Sequence, residues 1–305
     1  MTASSHGSAI SSEQHAFPAS LFLDKDEPRL RAAWRILVHA FLVLLTTLSA
    51  SLGVFFAAPV FAAIPFDFLG PLPSLLGITL ATVLARRWVD KRTFVSLGFH
   101  YNPLTIQDLA FGVLLSGLLM TIIYLVEATA GWIHITGNAF QHFSPFQIAW
   151  ALVESAWLYV AVGFSEELLS RGYQMQNLRE GTNTMWGVIL SSGIFGLLHT
   201  ANPNATLVSS LGIVFAGIFL AYAWVRTRQM WLSIGLHIGW NFFEGTVFGF
   251  PVSGLDGFHL VEQVHTGPAL LTGGAFGPEA GLLVLPLLVL GMLCIRYYSR
   301  TRLAA

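Results

Sequence analysis

Charge is scarce in this sequence. Only 10% of its 305 residues are Asp, Glu, Lys or Arg, against about 25% in an average soluble domain. Two soluble domains of ordinary composition are therefore excluded. Cysteine is nearly absent: the single Cys294 lies in an apolar run, which rules out an internal disulfide framework. No excess of basic residues exists either, since 15 Lys and Arg face 16 Asp and Glu. Nucleic acid is not an expected partner. The polar first 32 residues lack a charged stretch followed at once by a short apolar core and a small-residue cleavage site. They read as a flexible cytoplasmic N-terminal tail (1–32), not as a cleaved signal peptide.

What the sequence has is apolar length. Runs occur at about 33–57, 64–85, 107–126, 146–169, 185–199, 205–225, 230–250 and 280–298. A spanning helix needs about 20 such residues, and a lipid-exposed strand would have to close a barrel. The expectation is an all-α polytopic membrane bundle of about eight transmembrane helices over 33–302. Pro65, Pro71 and Pro73 make the start of the second run irregular.

The basic residues test the count. They fall at 25–35, 86–92, 171–179, 226–228, 296 and 300–302, while the connections 58–63, 127–145, 200–204 and 251–279 contain none. Eight spans put every cluster on one side. By the positive-inside rule both termini are then cytoplasmic, in an integral multi-pass protein of a prokaryotic cell membrane, with the lipid bilayer as partner.

Ionisable residues at bilayer depth are functional candidates. The fourth run ends in Glu166-Glu167-Leu168-Leu169-Ser170-Arg171. Glu167 and Arg171 are four residues apart, in the favourable order for a pair on a helix. Glu166, about 100° around the axis, is left for chemistry. Phe195-Gly196-Leu197-Leu198-His199 ends the fifth run, and His237-Ile238-Gly239-Trp240-Asn241 lies in the seventh. Helical rise puts Glu166 and His199 roughly 20 Å above the turn that joins their runs. It puts Asn241 roughly 16–18 Å and His237 roughly 10–12 Å above the turn at 226–229. Three helices thus present four polar groups at overlapping depths, which outweighs the bland reading of each as a helix-end residue.

These residue types suit peptide hydrolysis, which needs a water, a base and donors for an oxyanion. Glu166, His199 and His237 could instead hold a divalent metal such as zinc with an open position. Spacing does not decide between these, and no HExxH motif is present.

Glu-Glu-x-x-x-Arg, Phe-x-x-x-His and His-x-x-x-Asn, in that order on late helices, resemble the CPBP family. That family holds type II CAAX prenyl endopeptidases and bacteriocin-processing or immunity-type membrane proteases. The likeness covers about 160–245, within a core at about 145–250, with weaker support from Arg92 to Gly98. It implies that Glu166 activates the water with help from His199. It implies that His237 and Asn241 stabilise the oxyanion and that Glu167 and Arg171 support the site. The implied substrate is a membrane-associated protein or peptide, with prenylated CAAX-like chains among the candidates. Ser170 departs from the family, where a bulky apolar residue is common. A non-proteolytic scaffold or bacteriocin-immunity protein is one alternative, and a proton-coupled transporter another. Among the remaining polar residues, Glu127 and Glu244 are expected at the outer interface, the latter with a smaller chance of lining the cavity. Glu154 is expected near the outer surface, and His39 has no evident partner.

Overall fold

The computed structural model describes residues 19–24, 27–60 and 66–304. Part of the expected N-terminal tail, residues 1–18 and 25–26, therefore lies outside the described residues, as does Pro65.

Eight long helical segments follow the apolar runs. They are α1 (Ala32–Ala57), α2 (Leu72–Leu84, prolonged by a π-helical turn Ala85–Val89) and α3 (Leu104–Thr129). Next comes α4, made of Pro145–Glu167, a π-helical stretch Leu168–Gln174 and Met175–Gly181. Then α5 is Thr184–Leu198 with a 3-10 turn His199–Ala201, and α6 is Leu207–Thr227. Last are α7 (Trp231–Asn241, prolonged by a π-helical Phe242–Val247) and α8 (Val284–Ala304). Five helices are long and apolar enough to cross a membrane: α1, α3, α4, α5 and α6. The described residues are thus mostly helical, with a multi-pass membrane character.

Local chemistry sets several of the ends. Pro71 and Pro73 sit at the start of α2, where a missing N–H costs nothing. Ser144 and Gln147 form a reciprocal capping box at the start of α4, and Thr206 and Ser209 do so for α6. Small residues let the helices meet closely, as lipid-embedded packing requires. A Cβ at Gly239 of α7 would lie 2.6 Å from Val113 Cα of α3. One at Gly163 of α4 would lie 2.9 Å from Ile238 of α7. The central core gathers Leu119, Met120, Phe219, Leu232, Leu236 and Leu288 from α3, α6, α7 and α8. By contrast little of α1 is fully buried, 6% of its most apolar window. Such a face needs lipid.

Contacts draw the basic clusters to one end of the bundle. Arg29 and Arg35 pair with Glu180, Arg35 and Arg86 with Asp90, and Arg92 with Glu27 and Glu180. Arg226 donates to Ser299, and Arg302 pairs with Asp108. Arg171 is the exception. It belongs to the 171–179 cluster by sequence but pairs with Glu167 inside the bundle.

Two of the connections without basic residues pair with each other. The one after α3 and the one after α7 form a two-stranded antiparallel sheet, β1 (Ile133–Asn138) against β2 (Val261–His265). No apolar run announced it. Three outlying residues also differ from expectation. Glu127 is fully buried, 3.3 Å from His265 Nδ1. Glu244 is neither interfacial nor exposed, because the connection after α7 covers it. His39 does have partners: Thr82 Oγ1 at 3.0 Å and the Tyr173 ring stacked at 3.8 Å. Glu154, half-buried, accepts from Trp150 Nε1.

Candidate active site

Glu167 organises the site. Its side chain is fully buried and accepts from Arg171 Nη1 at 2.8 Å, from His237 Nδ1 at 2.9 Å and from the Ser233 hydroxyl. Arg171 donates its second nitrogen to Gly217 O at 3.0 Å and lies over the Phe195 ring, 4.3 Å from its centre. One ion pair thereby ties α4 to α5, α6 and α7. A buried pair is tolerable when further hydrogen bonds support it, and here Gly217 O, Ser233 and His237 supply them. The helix-spacing argument identified the Glu167–Arg171 bond. It did not identify the bond to His237, which arises from packing between helices.

Glu166 has the opposite surroundings. Its side chain is 32% exposed, and its nearest polar neighbours are two imidazoles. Glu166 Oε2 lies 3.9 Å from His199 Nε2 and 3.8 Å from His237 Nε2. Each ring is oriented from behind. His199 Nδ1 donates to Phe195 O at 2.8 Å, and a carbonyl can only accept, so that nitrogen carries the proton. His237 Nδ1 faces the Glu167 carboxylate in the same way. Both Nε2 atoms are therefore free to work on whatever stands against Glu166. Phe195 supports both rings, with centroids 4.6 Å from His199 and 6.2 Å from His237. This explains the use of Phe four residues before the histidine.

Two of the three π-helical stretches among the described residues fall at this site, one beginning directly after Glu167 and one directly after Asn241. Such widened turns concentrate where side chains are re-aimed for function. Depth counting set His237 well below Glu166, yet the two meet. The reference turn at 226–229 is itself recessed. Met230 is fully buried and its N–H bonds to Gly98 O at 2.9 Å, so α7 starts inside the protein. The Arg92–Gly98 stretch thus forms the shelf beneath α7, and Leu97 O there accepts from Gln176 and Trp224.

A cavity of about 40 Å³ adjoins the imidazoles. His199, His237 and Asn241 line it, with Phe195 and Trp240 among its walls. Ser253 and Glu279, from the connection after α7, also line it. Sequence reasoning missed both, because 251–279 read only as a loop without cations. Ser170 is buried beside Arg171 in chain order, its hydroxyl unpartnered among the described residues.

Three ligands at about 2.0–2.2 Å must converge on a zinc ion. Among the described residues, no three His, Cys, Asp or Glu side chains form such a group.

Two known proteins are similar to this chain over part of its length. A Bacillus subtilis (strain 168) relative named "Uncharacterized protein YyaK" is 27% identical over 164 residues, 52% of this chain and 54% of its own length. Another from that organism, named "Putative membrane peptidase YdiL", is 30% identical over 111 residues, 36% of this chain and 41% of its own. The chain thus spans about half the length of these curated relatives. No solved structure matches. The family resemblance read from the three motifs is shown: residues 148–243, which carry Glu166, Glu167, Arg171, His199, His237 and Asn241, match the family model described as type II CAAX prenyl endopeptidase Rce1-like.

Proposed function

We propose that this protein is an intramembrane endopeptidase that hydrolyses a peptide bond in a membrane-associated protein or peptide. The observation that carries the reading is Glu166 Oε2, 3.8–3.9 Å from two imidazole Nε2 atoms whose Nδ1 atoms are already committed. A water within about 2.8 Å of each group spans those gaps.

In this reading Glu166 takes a proton from that water while His199 Nε2 accepts its other hydrogen. The oxygen attacks the scissile carbonyl carbon, and the C=O electron pair moves onto oxygen. The Asn241 amide and a protonated His237 Nε2 donate to that oxyanion, with Glu167 balancing the imidazolium. As the tetrahedral intermediate collapses, the C–N bond breaks and the proton on Glu166 passes to the departing amine. Oriented donors in a water-poor cavity are worth most where charge develops.

The wider setting belongs to the same proposal. All eight helices cross the bilayer, and both termini face the side that gathers the basic residues, in a cell membrane. Substrates are membrane-tethered peptides, prenylated CAAX-like chains among them. The experiment is peptide cleavage by the reconstituted protein, wild type against Glu166→Ala. Loss of cleavage in the variant is expected, and equal rates would end the reading. A liposome proton-flux assay on both proteins separates it from transport.

A further inference from the structure

The connection after α7 brings together two carboxyl groups that this mechanism leaves unused. Glu279 lines the cavity, and its Oε1 accepts from Ser253 N–H at 2.6 Å and from the Ser253 hydroxyl at 2.9 Å. Its Oε2 has no donor among the described residues. Glu244 stands three residues beyond Asn241 and is fully buried, with no donor in good geometry at either oxygen. The two side chains are within hydrogen-bonding reach of one another. They converge beside Gly277, where a Cβ would lie 2.6 Å from Glu279 Oε2 and 3.1 Å from Glu244 Oε1.

Among the described residues no Lys, Arg or His forms an ion pair with either group. Tyr159, from α4, is the other titratable group beside them. Trp240 also approaches Glu244, and neither it nor Thr246 and Ser253 titrates. Two carboxylates at this range cannot both ionise, so one proton is shared between them. The resulting O–H···O⁻ bond is of the strong, charge-assisted kind.

That bond closes a chain around the cavity. Asn202 follows the 3-10 turn that begins at His199, and its Nδ2 donates to Ser253 O at 3.0 Å. Ser253 is held by Glu279. Glu244 lies on the same helix as His237 and Asn241. We propose that the Glu244–Glu279 acid pair is a proton-held clasp that positions His199 against His237 and Asn241. Both acids are positioning residues, since neither is placed against the scissile bond. The inference rests on the peptidase reading for its effect on rate, though not for the existence of the shared proton.

Two measurements on the full-length reconstituted protein test it. The first is infrared difference spectroscopy at neutral pH. Wild type should show the C=O stretch of a protonated carboxylic acid that Glu244→Gln loses, because the Gln amide then donates to an ionised Glu279. The second is peptide cleavage across pH. Wild type should lose kcat on the alkaline side, where the shared proton and the His237 proton leave. Glu244→Gln should stay within about threefold of wild type at neutral pH, since it keeps a hydrogen bond, and should shift the alkaline limb to the one that His237 alone sets. Glu244→Leu cannot bridge and should lose about a hundredfold in kcat with KM little changed, the effect of a small misplacement.

An undiminished acid band in Glu244→Gln overturns the clasp. So does an unshifted alkaline limb, or a Gln variant as slow as the Leu variant. If wild type cleaves nothing, the peptidase reading fails, and the infrared band alone decides whether the clasp exists.

Discussion

At the basic end of the bundle the buried acids Asp90 and Asp108 meet cations, whereas at the other end the buried acids meet each other or a neutral ring. Asp90 accepts from Arg86 at 2.7 Å and from Tyr173 at 2.9 Å, with Arg35 at 3.6 Å. Asp108 accepts from Arg302 and Tyr298, both at 2.8 Å. Opposite them, Glu244 faces Glu279, and Glu127 faces His265. The difference follows from where the chain places its Lys and Arg. A buried acid near the basic end has cations for partners, and one at the other end has only another acid or an imidazole. The candidate site lies between and contains one acid of each setting, Glu167 with its arginine and Glu166 without.

Substitutions can sharpen or break this contrast. The largest effect is expected on activity at the acid without a cation. Glu166→Gln should lower kcat by about 10²–10⁴-fold, the usual worth of a general base, with thermal unfolding unchanged. A large loss of stability would mean that Glu166 is structural like its neighbour. On stability, the largest effect is expected at the acids with cations. Glu167→Ala leaves Arg171 and His237 uncompensated, and Asp90→Ala does the same to Arg86. Each should cost about 3–5 kcal/mol by denaturation in detergent, the toll of breaking a buried pair. Glu244→Gln, at the other end, should cost much less. Equal losses at Asp90 and Glu244 would erase the contrast between the ends.

A smaller effect is expected at His39, which is buried near the basic end yet bonded only to a neutral group. Thr82→Val keeps the shape and removes that bond, for about 1 kcal/mol. A neutral result would assign the position to packing against Tyr173.

The smallest effect concerns pH at the β1–β2 sheet. Burial holds the pKa of His265 below its ordinary value, so the ring is neutral in the fold. Charging it there costs more than in the open chain. The sheet's stability is therefore full above about pH 6.5 and falls as pH drops below it. Hydrogen exchange across 133–138, corrected for its intrinsic rate, should speed up a few-fold between about pH 7.5 and pH 5.5. His265→Gln should remove that response, and a variant that still showed it would locate the titration elsewhere.

The helices were legible because lipid imposes one rule on sequence, a long apolar run whose backbone bonds close internally. The eight runs became eight helical segments, with boundaries shifted where π-helical turns prolong α2 and α7. The Glu167–Arg171 bond was legible because it is local, four residues apart on one helix. Motif order made Glu166, His199, His237 and Asn241 visible as a set. The β1–β2 sheet was not legible, since its strands are half-buried and lie more than a hundred residues apart. Ser253 and Glu279 were hidden for the same reason. Nothing within the connection after α7 says that it returns to the cavity.

Composition, the spacing of apolar runs and the one-sided placement of Lys and Arg thus determined a membrane helical bundle and the residues that could do chemistry in it. Those are properties of single helices, set by the solvent around them. Which of two adjacent glutamates faces water, which nitrogen of each histidine is spoken for, and which acids share a proton were decided only by the tertiary structure. Each depends on a partner from another helix, and a contact between helices leaves no period in the sequence of either one.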